Sequence, residues 1–275
     1  MNKQFESQIS ENPRPSDGLP NTIYKYRNWA NEYNQKILTN REIYFSAADD
    51  FNDPFDSKFP IRYDLIGDDE LKQRLTNSYL HGNTNASQKE VEEQVLMAFN
   101  NLRNTDYLND LHERKYAANN EVIGVFSLTT QPTNILMWSH YSNSHRGFVV
   151  GFDTDSLFTD IQCTILPINY QNEYPSIPPG LGTEEGPLEI YGVYGTKSGL
   201  WEYEDEVRMI KVHGAKKTFQ YKPETLKEII LGCKISEEHR DEVLGVARSF
   251  PDVKVYQASM SKTAFELDIQ LINYR

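Results

Sequence analysis

The stretch WEYEDEVRMI, Trp201 to Ile210, sets four acidic side chains and an arginine among aromatic and apolar neighbours. On an extended strand Glu202, Glu204, Glu206 and Arg208 share one face, and Trp201, Tyr203, Val207 and Met209 the other, with Asp205 among them. The carboxylates then step along that face about 7 Å apart. Clustered carboxylates repel, so at least one is harder to ionise unless a cation answers it, and a site acquires a tuned acid or base in this way. Glu206 and Glu204 are therefore candidate catalytic groups, and Arg208 is a candidate ligand contact. A solvated charged face on an edge strand would show the same pattern.

The stretch ILMWSHYSNSHRG, Ile135 to Gly147, is the second cluster. If Ile135 to Tyr141 is helical, Trp138, Tyr141 and Ser142 share one side while His140 points elsewhere, so His140 and His145 need not converge. His140 can serve as a general base, as a hydrogen-bond donor to a ligand or as a satisfied core residue. No H-x-x-x-H or H-E-x-x-H spacing accompanies it, which argues against a metal. The stretch reads as a wall of a cleft, with His140 touching ligand and Trp138 and Tyr141 packing or stacking.

Two further segments carry polar groups beside strands. In YKYRNW, Arg27 can hold a phosphate or carboxylate bidentately, or pair with an acidic neighbour. In IYFSAADDFNDPFD, Ser46 leaves a strand where turn chemistry begins, and Asn52, Asp53 and Asp56 can hold a loop over a ligand, anchored by Phe51 and Phe55. No Gly-rich phosphate loop is present, so neither a P-loop nor a dinucleotide fingerprint is indicated.

The elements that must position these residues follow from periodicity. Strands are predicted at Thr22–Arg27, in EIYFSA, VIGVFSLT, GFVVGFD and ILPINY, from Tyr203 to Val212, and in VKVYQASM and FELDIQLIN. Helices are predicted in NEYNQKILTN, NILMWSHYS, KPETLKEIILG and SEEHRDEVLGVARSF, with a helical turn in DSLFT. QNEYPSIPPGLGTEEGPLE reads as a long loop. This is an α+β pattern with mainly antiparallel strands: residues 1–20 an irregular arm, and residues 21–275 one domain with a helical insertion at about 68–119.

Composition narrows the function class. The 275 residues carry 28 basic and 40 acidic side chains, a net charge of −12, which argues against a broad footprint for nucleic acid or anionic membrane. Cys163 and Cys233 show no metal or disulfide spacing, and no signal-like or membrane-spanning apolar run exists, so a cytoplasmic protein is expected. Seventeen tyrosines suit either a polar-lipped ligand cleft or ordinary β-rich packing.

Taken in order, YKYR, ILTNREIYFSAADDFNDPFD, GVFSLT…NILMWSHYSNSHRGFVVGFD, KSGLWEYEDEVRMI and YKPETLKEIILG resemble the bacterial family catalogued as domain of unknown function 2971, over about residues 23–270. The arrangement also resembles that of ADP-ribosyltransferases, which carry an Arg or His on a first strand, a Ser or Tyr on a second and a catalytic Glu on a later one. That second resemblance implies NAD as substrate, with Arg27 on the nicotinamide ribose or phosphate and Ser46 positioning. Glu206 would take the ribose 2′-hydroxyl and the oxocarbenium-like transition state, and Glu204 would orient or deprotonate the acceptor. The block WSHYSNSHRG has no counterpart there; it would give His140 as ligand donor, with Tyr26 or Tyr141 stacking on nicotinamide. The expected function is thus an enzyme acting on NAD or a related nucleotide, an ADP-ribosyltransferase or NAD glycohydrolase of toxin or phage-defence type with a protein or nucleic-acid acceptor. The alternatives are a non-catalytic ligand- or protein-binding module, or a metal-independent hydrolase or nuclease using His140.

Overall fold

The computed structural model describes residues 18–58, 60, 62–175 and 186–274. Most of the expected N-terminal arm, up to residue 17, and the middle of the expected long loop, 176–185, lie outside the described residues. Strand β1 (Thr22–Arg27) leads to α1 (Glu32–Thr39), which Asn31 caps by accepting from the Tyr33 amide, and then to β2 (Glu42–Phe45). Three helices follow, α2 (Asp68–Gly82), α3 (Gln88–Leu102) and α4 (Thr105–Val122), in the region where apolar spacing predicts an insertion. Next come β3 (Ile123–Thr129), α5 (Ile135–Tyr141), β4 (Phe148–Asp153), α6 (Thr154–Ile161), β5 (Thr164–Pro167) and β6 (Asn169–Gln171). The rest is α7 (Gly186–Tyr194), β7 (Thr196–Ser198), a 3-10 segment (Gly199–Glu204), β8 (Glu206–Val212), β9 (Lys217–Gln220), β10 (Leu226–Leu231), α8 (Glu237–Ala247), β11 (Lys254–Met260) and β12 (Leu267–Leu271).

The chain divides into two compact units. One comprises Ala48–Val122 and Asn169–Gly199, where Tyr63, Leu71, Leu75 and Leu102 form the apolar centre of α2 to α4, and β6 pairs with β7. The other comprises residues 18–47, 123–168 and the chain from Leu200 on; it holds an eight-stranded sheet in the order β12-β11-β10-β4-β1-β3-β8-β5. Every pairing in that sheet is antiparallel except β10 with β11. The fold is α+β.

Alternation along the strands gives the sheet two faces. One carries Ile23, Phe126, Phe148, Phe152, Met209, Ile229 and Val255 and is covered by Ile37 and Leu38 of α1, Leu157 and Ile161 of α6 and Val243, Leu244 and Ala247 of α8. The other carries Tyr26, Val149 and Ile230 against Met137 and Trp138 of α5.

Three expectations are corrected. The helix expected in KPETLKEIILG is a 3-10 turn, Pro223–Thr225, followed by β10. Ile229, Ile230 and Leu231 have no solvent exposure, and a strand buried on both faces reads as a continuous apolar run that periodicity cannot separate from a helix. The strand expected from Tyr203 starts only at Glu206. Within the stretch expected to be loop through Glu189, helix α7 begins at Gly186.

Candidate functional site

Helix α5 is set by Asn134, whose side chain accepts from the amides of Leu136 and Met137 and donates to the Tyr203 carbonyl at 2.8 Å. One residue therefore starts the helix and ties it to the 3-10 segment. Trp138 is fully buried, its indole N–H on the Pro132 carbonyl at 3.0 Å, and meets the Tyr26 ring edge-on at 5.3 Å. The Tyr26 hydroxyl donates to the Gln131 carbonyl at 2.6 Å, and burial raises its pKa. Tyr26 and Trp138 are packing residues, both almost completely buried in the smaller apolar cluster of the sheet.

Tyr141, at the end of α5, donates its hydroxyl to Glu204 Oε1 at 2.6 Å. Asp205 follows with φ of 43°, a left-handed conformation unusual for a residue with a side chain. Its carboxylate points outward to Thr130 and Gln131, while Thr129 Oγ1 donates to the Glu204 carbonyl at 2.5 Å. That kink turns the carboxylates on both sides of Asp205 inward: Glu204 is 3% exposed and Glu206 4%. Glu202 is exposed on the 3-10 segment, so the expected row of three carboxylates on one strand face is not formed.

Glu206 and Arg208 do share a face of β8. Arg208 Nε lies 2.7 Å from Glu206 Oε1 and Nη2 lies 3.2 Å from Oε2, a bidentate pair with Arg208 only 1% exposed. Across the sheet Glu206 pairs with Thr129, and Thr129 with Tyr24.

Arg27 is on the opposite face. Its guanidinium sits over the Phe126 ring at 5.8 Å, and Phe126 and Met209 belong to the large core on that side. Met209 is three residues from Glu206, so strand parity sends the two side chains to opposite faces. The expected convergence of Arg27 with Glu206 does not occur. Burial pulls the Arg27 pKa down to about 10, so it remains a cation at neutral pH.

Ser46 forms a main-chain bridge with Val125, which pairs with Ile210. That position is four residues along β8 from Glu206, roughly 13 Å. Asn52 and Asp53 belong to the other unit, where Asp53 accepts from the Phe55 amide at 2.9 Å in a local turn. Phe55, expected to anchor that turn, is 63% exposed.

His140 is exposed, its ring centroid 6.3 Å from Tyr203, with Trp201 a further 6.0 Å on. His145 does not converge with it: it stacks on Trp138 at 6.1 Å, its Nε2 faces Ser139 Oγ at 3.2 Å, and its buried Nδ1 has no hydrogen-bond partner. Burial and Lys234 hold the His145 pKa below the ordinary histidine value. The residues the sequence reading missed are Thr129, Asn134 and Asp205; the polar string TTQPTN after β3 was the available signal. Among the described residues no group of three or more His, Cys, Asp or Glu side chains could hold a metal ion, and no helix is long and apolar enough to cross a membrane.

The wall and the carboxylates lie on one continuous piece of sequence, from α5 to β8. Residues 137–209 match the model of the family described as Protein of unknown function (DUF2971). The stretch similar to that family contains Trp138, His140, Tyr141, Glu204, Glu206 and Arg208, and leaves out Arg27, Ser46, Asn52 and Asp53. No curated protein and no solved structure matches the chain.

Proposed function

We propose that the chain is an enzyme acting on NAD or a related nucleotide, with Glu204 and Glu206 as its carboxylate centre. The observation that carries the reading is the burial of both groups either side of left-handed Asp205, Glu204 accepting from Tyr141 and Glu206 from Arg208. Removing two carboxylates from water costs several kcal/mol each even after relaxation, and such pairs concentrate where charge develops during a reaction. Glu206 opposes the cation forming at the ribose carbon as the nicotinamide bond breaks, and Glu204, on Tyr141, orients the attacking water or side-chain acceptor. Arg208 takes the part that the transferase resemblance gives to Arg27, and the rim of His140, Tyr203 and Trp201 offers ring faces to nicotinamide. The toxin or phage-defence setting is proposed by the same analogy.

The bidentate hold of Arg208 on Glu206 favours a second reading, in which the pair is scaffold and the chain is a non-catalytic binding module. NAD consumption by the purified protein and by Glu206→Gln separates the two. The enzyme reading expects nicotinamide release that falls at least about a hundredfold in a folded Glu206→Gln variant. Equal turnover in both, or none in either with acceptors present, leaves the binding module.

A further inference from the structure

The helical unit contains a cavity of about 310 Å³ between α4, the Tyr63–Leu65 turn and α7, a volume at the lower end of small-molecule sites. Its wall includes Tyr63, His112, Lys115, Tyr116 and Glu189. The four charged residues that line it are already matched: Lys115 Nζ to Glu189 Oε1 at 2.7 Å, and Arg62 to Asp64 through two hydrogen bonds. An anion or cation entering would meet no unbalanced partner. Lys115 gives a second hydrogen bond to the Tyr63 hydroxyl at 3.3 Å, which leaves one of its three N–H groups for a ligand oxygen. His112 lines the same wall, and burial holds its pKa below the ordinary histidine value, so at pH 7 the neutral ring carries one donor and one acceptor nitrogen. A donor and an acceptor one helical turn apart on α4, beside two tyrosine rings, match a flat ring with mixed polar edges. Ser57, on the same wall, is left-handed with φ of 57°, and backbone strain of this kind concentrates at ligand sites.

We propose that this cavity is a second ligand site, for an uncharged planar heterocycle with adjacent donor and acceptor edges, a nucleobase free or as its nucleoside. It is independent of the carboxylates Glu204 and Glu206, so either assignment can fail alone. Adenosine titrated into the full-length protein, followed by calorimetry and by the His112 ring resonances, tests it. Adenosine should bind and shift His112, and the affinity should fall at least tenfold in His112→Phe and in Tyr116→Leu while Gly245→Ala, remote in sequence from both sites, binds as the wild type does. The wild-type His112 shift keeps the test valid should either variant fail to fold. The proposal is overturned by any one of four results: no binding at millimolar adenosine, no His112 shift, unchanged affinity in both folded variants, or AMP binding more than tenfold tighter than adenosine.

Discussion

Arg208 grips Glu206, two residues before it on the same strand, through both nitrogens of its fork and both carboxylate oxygens, with the pair almost sealed from water. Removing one partner of such a pair takes the bidentate counter-charge away from the buried group that remains. Arg208→Met should lower the unfolding free energy by about 3–5 kcal/mol, while Arg208→Met combined with Glu206→Leu should recover most of that loss. Urea denaturation of the two variants measures both, and a double variant no more stable than the single one would contradict the account.

Tyr141 and Glu204 form the companion contact, a neutral donor on a charged acceptor. Tyr141→Phe keeps the ring and deletes the hydroxyl, so the expected loss is about 1.5–3 kcal/mol. Thermal unfolding within error of the wild type would mean that Glu204 is held without it. In the enzyme reading the same variant should also reduce nicotinamide release.

Gly232 follows β10, its amide on the Gly147 carbonyl at 2.9 Å, and a Cβ there would lie 2.2 Å from the His145 carbonyl oxygen and 2.8 Å from that of Gly147. Neither is the far end of a flexible side chain. Gly232→Ala should therefore destabilise by at least about 1–3 kcal/mol, the usual result of overpacking. Gly245→Ala, on an open face of α8, should stabilise slightly.

His145 and His112 both have pKa values lowered by burial, with Lys234 adding to the effect at His145 and Glu113 opposing it at His112. As pH falls below the ordinary histidine value, the unfolded chain takes up protons that the folded chain refuses. Their contribution is fully present above about pH 6.5 and is lost as pH drops through the lowered values. The urea midpoint should thus rise from pH 5 to pH 7. His145→Asn, which tolerates the left-handed φ of 69° at this position, should flatten the rise.

The Cys163 thiol is pushed up to about 12 by burial, with Lys211 opposing. The thiolate is the reactive form, so iodoacetamide at pH 8 should label Cys163 only after unfolding. Mass spectrometry of native and urea-treated protein reads this directly, and rapid native labelling would show a more open site.

Local pattern made much of the sheet unit legible. GFVVGFD announces β4 by its apolar run, and the helices expected in NILMWSHYS and SEEHRDEVLGVARSF are α5 and α8. What stayed hidden depends on distant partners. LKEIIL becomes a strand because β4 and β11 flank it, a fact of tertiary pairing. Arg27 was wrongly grouped with Glu206 because the face of one strand relative to another follows from register, which the sequence of either strand does not contain. The left-handed turn at Asp205 rests on Thr129 and Thr130, some 75 positions earlier, so WEYEDEVRMI alone reads as one strand. Glu204 and Glu206 stand out in the sequence as acid residues beside aromatics, and the structure buries both side chains. The helical cavity was not, since Glu189 fell in a stretch read as loop.

Phe148 has Arg27 as its ladder partner on one side and Leu231 on the other. These neighbours enter the chain roughly 120 positions before it and 80 after it, which makes this a topology of distant pairings and slow assembly. During synthesis β4 leaves the ribosome with β1 available but with its other edge open until β10 has been made. The nascent chain therefore carries an uncovered apolar edge while the roughly 80 residues between the end of β4 and the end of β10 are translated, the period in which it most needs shielding from other chains.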